Sequence, residues 1–313
     1  MSSRQLKAIF GALVVLVLAY AAVQFLSGNG RRSGGNDIVA AVRDGISLVR
    51  ILGPGAEDSV RLEEADGSWT VNSYPADSAL VRQLSEGLDT AQIGRLVARS
   101  VTNHARLGVA EDSARRIEIG PAGDPYVEFL LGGGGLDGRY VRFPSSDEVF
   151  SIPAASMRLL THSAEEWRNR IVAAVDTSLV SRIEVRRNDE PAPLELSRVI
   201  GDSAVSWSLG GAAADSATVD ALLGESANLT ATGFPSDSVA FAVDFGSPVA
   251  VLEMFDSDEL GAAPALSLLF LTAPDTRSFL VRRAEDPLAY RISVVQARLL
   301  LPTRARLLPE ATE

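Results

Sequence analysis

Two stretches of this chain repeat one another: WTVNSYPADSALVRQL at 69–84 and WSLGGAAADSATVDAL at 207–222. At a shift of 138 residues (207 − 69) they share seven identities, among them the opening tryptophan and a central Asp-Ser-Ala triplet. Aspartate is a favoured helix N-cap, and the apolar residues that follow it recur at helical spacing. Each stretch therefore predicts a strand that leads into a capped helix. Four residues carry this structural prediction: Trp69, Asp77, Trp207 and Asp215.

A second pair of windows repeats near the end of each copy, now at a shift of 140 residues. The matched pairs are Val141/Val281, Arg142/Arg282, Ile152/Ile292, Arg158/Arg298, Leu159/Leu299 and Leu160/Leu300. Agreement between two windows with nearly the same shift indicates an internal repeat with small changes in loop length.

Alternation of apolar and polar residues predicts half-buried strands on both sides of the capped helices. In the first copy the predicted strands are 47–52, 60–65, 69–71, 115–119, 126–131, 139–143 and 148–152. In the second copy they are 180–187, 194–199, 205–209, 239–245, 249–255, 266–272 and 278–283. The predicted class is α+β, with two tandem, structurally related repeats of mostly antiparallel sheet with helices. The first repeat spans 46–172, the second spans 173–308, and 309–313 form a tail.

The N-terminus predicts a membrane segment. Ala8–Leu26 contain nineteen residues without a charge, after Arg4 and Lys7. As a helix they measure about 28 Å, close to the roughly 30 Å hydrocarbon core of a bilayer. We expect residues 1–27 to form a transmembrane signal-anchor and 28–45 to form a flexible linker.

Ala19-Tyr20-Ala21 has the small-x-small form that signal peptidase accepts, so cleavage after Ala21 is the alternative to a retained anchor. The sequence has no second apolar run long enough to span a bilayer. A single crossing predicts that the repeats lie outside the cytoplasm.

Composition excludes several classes of function. The net charge of −11 disfavours nucleic-acid binding. The absence of cysteine excludes disulfides, thiolate nucleophiles and cysteine metal sites. The only histidines are His104 and His162, so one chain cannot build a multi-histidine metal site. We expect no cofactor, no metal site and no catalytic residues.

Two local patterns have a chemical alternative. The glycine run GGGGLDG at 132–138 contains the spacing of a dinucleotide-binding loop, but it leads into a predicted strand where that site needs a helix. We interpret it as a connection between strands. His162 with Glu165 and Glu166 could provide metal ligands from one helical face. We interpret this stretch as a capped surface helix.

The junction between the copies, SAEEWRNRIVAAVD at 163–176, is rich in charge around one tryptophan. Tryptophan and arginine are enriched where binding energy concentrates in interfaces. We therefore select Trp167, Arg168 and Arg170 as candidate partner-binding residues. In the alternative interpretation the apolar residues of this stretch join the second copy to the first: Trp167, Ile171 and Val172.

Several motifs resemble the bacterial domain-of-unknown-function family 4340. They are RLGV at 106–109, RYVRF at 139–143 and EEWRNRIVAAVDTSLVSRIEV at 165–185, after a single membrane segment. The resemblance implies an envelope protein, often encoded beside ABC-transporter genes of the gliding-motility type.

We therefore expect a non-enzymatic, membrane-anchored protein of the bacterial inner membrane with its C-terminal domains in the periplasm. Its expected role is a binding or scaffold component that associates with a protein partner of an ABC-type transport system. The alternative is an extracytoplasmic hydrolase or a glycan-binding subunit.

Overall fold

A computed structural model describes residues 45–55, 59–91, 93–121, 127–135, 138–201, 205–257, 261–275 and 277–308. The chain divides into two units, Met1–Asn169 and Arg170–Glu313. The boundary lies three residues before the predicted one, because Ile171–Ala173 form a strand that pairs within the second unit. The predicted membrane segment Ala8–Leu26 and most of the linker lie outside the described residues.

The first unit contains a nine-stranded antiparallel sheet. Its strands are β1 (Leu48–Leu52), β2 (Val60–Ala65), β3 (Ser68–Val71), β4 (Tyr74–Pro75), β5 (Leu96–Ala98), β6 (Arg115–Gly120), β7 (Val127–Gly135), β8 (Gly138–Arg142) and β9 (Val149–Ile152). They lie in the order β4-β3-β2-β1-β6-β7-β8-β9-β5.

The long helix of the first unit begins where the sequence predicts. Asp77 caps helix α1 (Ser78–Asp89), and its side chain accepts hydrogen bonds from the backbone N–H groups of Ala79 and Leu80 at 2.8 and 3.3 Å. The buried face of α1 consists of Val81, Leu84 and Leu88. Shorter helical segments are Val101–Asn103 (3₁₀), α2 (His104–Leu107), α3 (Ala154–Met157), Leu159–Thr161 (3₁₀) and α4 (Ala164–Trp167).

The second unit contains an eight-stranded antiparallel sheet and a separate two-stranded one. The larger sheet consists of β11 (Arg182–Arg187), β12 (Leu194–Ile200), β13 (Val205–Leu209), β14 (Ala212–Ala213), β16 (Ala250–Phe255), β17 (Leu266–Thr272), β18 (Ser278–Arg283) and β19 (Tyr290–Ser293). Its order is β14-β13-β12-β11-β16-β17-β18-β19. The smaller sheet pairs β10 (Ile171–Ala173) with β15 (Leu229–Thr230).

Helix α5 (Ser216–Ala227) of the second unit corresponds to α1, and the Asp215 carboxylate accepts a hydrogen bond from the Thr218 N–H at 2.8 Å. The other helices are α6 (Asp237–Ala242), α7 (Val294–Leu300) and α8 (Arg304–Leu307). The predicted strand 239–245 is wrong, because most of it lies in α6. Val239 and Val243, four residues apart, pack on one small apolar cluster, and this spacing suits a helix.

The two units are related beyond their strand order. The backbone N–H of Asp77 donates to the carbonyl oxygen of Trp167 at 2.8 Å, and that of Asp215 donates to Leu307 at the same distance. Both acceptors end a one-turn helix and are fully buried. Each unit therefore closes in the same way, with its C-terminal turn bonded to the start of its long helix.

The predicted structural role of the paired tryptophans agrees with their positions. Trp207 is buried in the core of the second unit, and Trp69 is half-buried against the core of the first. The described part of the chain contains no helix that is long and apolar enough to cross a membrane.

Candidate binding cleft

Trp167, the first candidate partner-binding residue, belongs to the core of the first unit. Its side chain is fully buried and its ring centroid lies 5.8 Å from that of His162. The short helix α4 turns it inward, and the N–H of Ser163 donates to the Glu166 carboxylate at 2.8 Å to hold the start of that helix. The predicted exposure of Trp167 is therefore wrong.

The two arginines of the same prediction are less buried. The guanidinium of Arg168 lies 3.8 Å from the ring centroid of Tyr74, a cation–π contact within the first unit. Arg170 is partly buried, and its carbonyl accepts a hydrogen bond from Ala231 at 2.7 Å within the second unit. The assignment of Arg168 and Arg170 to partner binding stays a prediction.

Both histidines belong to the first unit. His104 is buried, and its Nε2 lies 2.9 Å from the backbone carbonyl oxygen of Asp147, so its ring fastens a loop. His162 packs against Trp167, while Glu166 is engaged with Ser163. No group of three or more His, Asp or Glu residues is placed to hold a metal ion within the described ranges.

The glycine run connects two strands, as expected, and its glycines have a packing role. Residues 132–135 end β7, and Gly138 begins β8. A Cβ on Gly132 would lie 2.5 Å from the carbonyl oxygen of Leu107 and 2.6 Å from Val109. The segment around α2 can therefore approach β7 only because Gly132 has no side chain.

The best-formed cleft among the described residues lies in the second unit and has a volume of about 400 Å³. The cleft lies beside α7, at the ends of β11, β16 and β17 and the start of β18. Its apolar wall includes Ala250, Phe279, Val294, Ala297 and Leu301. Polar groups stand at the edge: Arg187, Asn188, Asp189, Thr272 and Arg298. Apolar clefts with a few polar groups are typical ligand-binding sites, and they commonly measure roughly 300–1,000 Å³.

One residue pair explains an important difference between the units at this position. Ala297 corresponds to Met157 at the shift of 140 residues that aligns the ends of the two copies. Met157 is fully buried in the core of the first unit, whereas Ala297 forms part of the cleft wall. The smaller side chain leaves space beside α7 that a methionine would fill.

The charges at the edge of the cleft divide into a closed pair and one open cation. Arg187 donates to both carboxylate oxygens of Asp189 at 2.8 and 2.6 Å and also donates to the carbonyl oxygen of Leu301. The hydrogen bonds between these side chains raise the pKa of Arg187 and lower the pKa of Asp189. Arg298 is exposed and makes no ion pair with the described residues. The edge therefore has a net positive charge.

The comparison with known families follows the repeat. A family model described as Domain of unknown function (DUF4340) matches residues 69–207. Residues 69–207 belong to the DUF4340 family. The match begins at Trp69 and ends at Trp207, so DUF4340 covers much of the first unit and the start of the second. No curated protein and no solved structure matches this chain.

The cleft lies beyond the DUF4340 match except for its residues Arg187, Asn188 and Asp189. Sequence reasoning missed it, although a signal was present. The pair Met157/Ala297 falls inside the second matched window, between Ile152/Ile292 and Arg158/Arg298. A large apolar residue replaced by alanine between conserved repeat positions indicates space in one copy that the other copy fills.

Proposed function

We propose that this DUF4340 protein is a membrane-anchored, extracytoplasmic binding component that captures a protein partner of an ABC-type transport system. One observation supports partner binding above the others: the apolar end of the β12–β13 hairpin. Ile200 and Val205 pair across this hairpin and are 82% and 51% exposed. Contiguous exposed apolar surface is typical of protein–protein contact sites.

A third residue extends this surface. Leu179 is 63% exposed, and Arg198 of β12 donates to the carbonyl oxygens of its two neighbours, Ser178 and Val180. These bonds place Leu179 at the same end of the sheet as Ile200 and Val205. We call these three residues the apolar tip.

The first unit has no such tip at the corresponding hairpin. Its strands β2 and β3 end at the pair Ala65/Ser68 and turn through Asp66 and Gly67, both with positive φ, as in a tight two-residue turn. With the tryptophans aligned, the second hairpin continues one pair further, to Ile200/Val205. The apolar tip is therefore an addition to the shared scaffold, which is why we assign it a function.

Cross-linking from the tip tests this proposal. A photoreactive amino acid at position 200 of the full chain, in native cells, is expected to yield one dominant protein adduct that contains a transporter subunit. The matched control is the same amino acid at Asp66, which turns the polar hairpin of the first unit. An Ile200→Asp, Val205→Asp protein with unchanged melting should lose partner co-purification. Equal adducts from both positions, or retained co-purification, would contradict the proposal.

The apolar run Ala8–Leu26 supports membrane anchorage. Protease added to spheroplasts is expected to digest both units while the protein sediments with membranes in untreated cells. Complete protection would reverse the topology, and a soluble form that begins near Ala22 would establish cleavage. Release of sugar or peptide products by the purified protein would favour the alternative, an extracytoplasmic hydrolase.

A further inference from the structure

The cleft of the second unit combines an apolar interior with a positive edge. Phe279, Val294 and Ala297 line the interior, and Ala297 is there the counterpart of the space-filling Met157. An apolar group that enters this space loses contact with water without displacing a protein side chain.

Charge selects the polar end of the ligand. The Asp189 carboxylate is engaged by two N–H groups of Arg187, so it offers no strong site for a cation. Arg298 projects at the edge, and Arg306 donates to the carbonyl oxygen of Arg298 at 3.3 Å, which brings a second guanidinium near the same helix end. In a chain with a net charge of −11 this is a local positive region.

We propose that the cleft binds an apolar group that carries a carboxylate, with its apolar part against Phe279 and Ala297 and its carboxylate at Arg298. A guanidinium recognises a carboxylate through charge-assisted hydrogen bonds. Two sources share this chemistry: a free fatty acid, and the apolar C-terminal residue of a polypeptide. This site is separate from the apolar tip and does not depend on which partner the tip binds.

Binding of water-soluble probes to the full chain, held in amphipol, tests the site. Octanoate and octanamide form one arm, and acetyl-Ala-Ala-Leu with a free carboxylate or as its amide forms the other. In at least one arm the acid is expected to bind about three- to tenfold more tightly than the amide, because one charged hydrogen bond at an exposed edge is worth that much. Heptanoate should bind about fourfold more weakly than octanoate if the acyl chain is buried.

Two variants separate the apolar and charged parts of the site. Ala297→Met, which installs the residue of the first unit, is expected to weaken binding at least tenfold. Arg298→Gln should abolish the preference for acid over amide while binding of the amide remains. Val295→Met is the matched control, because Val295 is on the same helix but 65% exposed.

Each outcome has a defined meaning. Binding of octanoate alone identifies a fatty acid as the source, and binding of the peptide acid alone identifies a polypeptide C-terminus. The proposal is overturned if neither acid binds, if acids and amides bind equally, or if Ala297→Met binds as the wild type does. Should Ala297→Met lower the melting temperature, Arg298→Gln still decides the question, because its side chain is exposed.

Discussion

The two units share a scaffold and differ in what is attached to it. Both have a sheet with the same order from the β4 or β14 edge, a helix capped by aspartate, and a closing turn bonded to that cap residue. The differences are the apolar tip, the cleft and the segment that follows the long helix. Repetition therefore reports the residues that fold the chain, and departure from repetition reports where function was added.

The segment after the long helix shows where the units diverge. In the first unit Gly94 donates to Ser151, and in the second Thr232 donates to Arg291 in the equivalent position. Beyond this point the first unit adds β5 and α2 to the edge of its sheet. The second unit forms α6 instead.

The largest effect should come from the closing turns. Trp167→Ala removes a fully buried indole, and we expect it to cost about 3–5 kcal/mol of unfolding free energy. Leu307→Ala removes its counterpart and should cost about 2–5 kcal/mol. Hydrogen exchange of the full chain should show faster exchange in the strands of the unit that carries the change. Uniform acceleration in both units by either variant would contradict the comparison.

A smaller effect is expected at a matched pair of arginines. Arg142 is buried and donates to the carbonyl oxygen of Val109 at 3.0 Å and to Glu111 at 2.7 Å. Arg142→Met should cost roughly 1–3 kcal/mol, because a buried carbonyl loses its donor. Its counterpart Arg282 lies over the Phe245 ring at 4.8 Å, and Arg282→Met should cost at most about 1 kcal/mol. Denaturant unfolding measures both, and equal losses would refute the distinction.

Sequence reasoning predicted the scaffold because its signals are local and occur twice. The strands 205–209, 266–272 and 278–283 have the bounds that alternation predicts. Helix α5 begins directly after the predicted cap, Asp215.

The misses have physical causes. Strands β5, β10 and β15 contain two or three residues, too few for an alternating pattern. The run around Val239 is apolar throughout, so its period is ambiguous, and packing decided for a helix. Trp167 looked exposed because charged residues flank it, although its alignment with Leu307 indicates a core position. The cleft depends on one missing side chain, which no pattern within a single copy can reveal.

The helix caps provide a weaker test. Asp77 accepts hydrogen bonds from two backbone N–H groups, whereas Asp215 accepts one. Asp77→Ala should cost about 0.5–2 kcal/mol, and Asp77→Asn should recover most of the loss because asparagine caps equally well. Asp215→Ala is expected to lower the melting temperature less than Asp77→Ala. The reverse order in thermal unfolding would show that the number of cap bonds does not set the stability of these helices.

The smallest expected effect is a difference in acid sensitivity between the units. Among the described residues, hydrogen bonds lower the pKa of four aspartates of the second unit but of only one acid of the first, Glu63, which is paired with Arg61. The four are Asp176, Asp189, Asp215 and Asp275. A lowered folded-state pKa means that the unfolded chain binds more protons, so this stabilisation is complete above the unfolded pKa of 3.8 and is lost as the pH falls through the folded value. Hydrogen exchange of the full chain between pH 5 and about pH 3, corrected for intrinsic rates, should show the second unit losing protection before the first. Asp275→Asn, which removes the acceptor charge for Arg291, should reduce that difference. Equal loss in both units would exclude these aspartates as its cause.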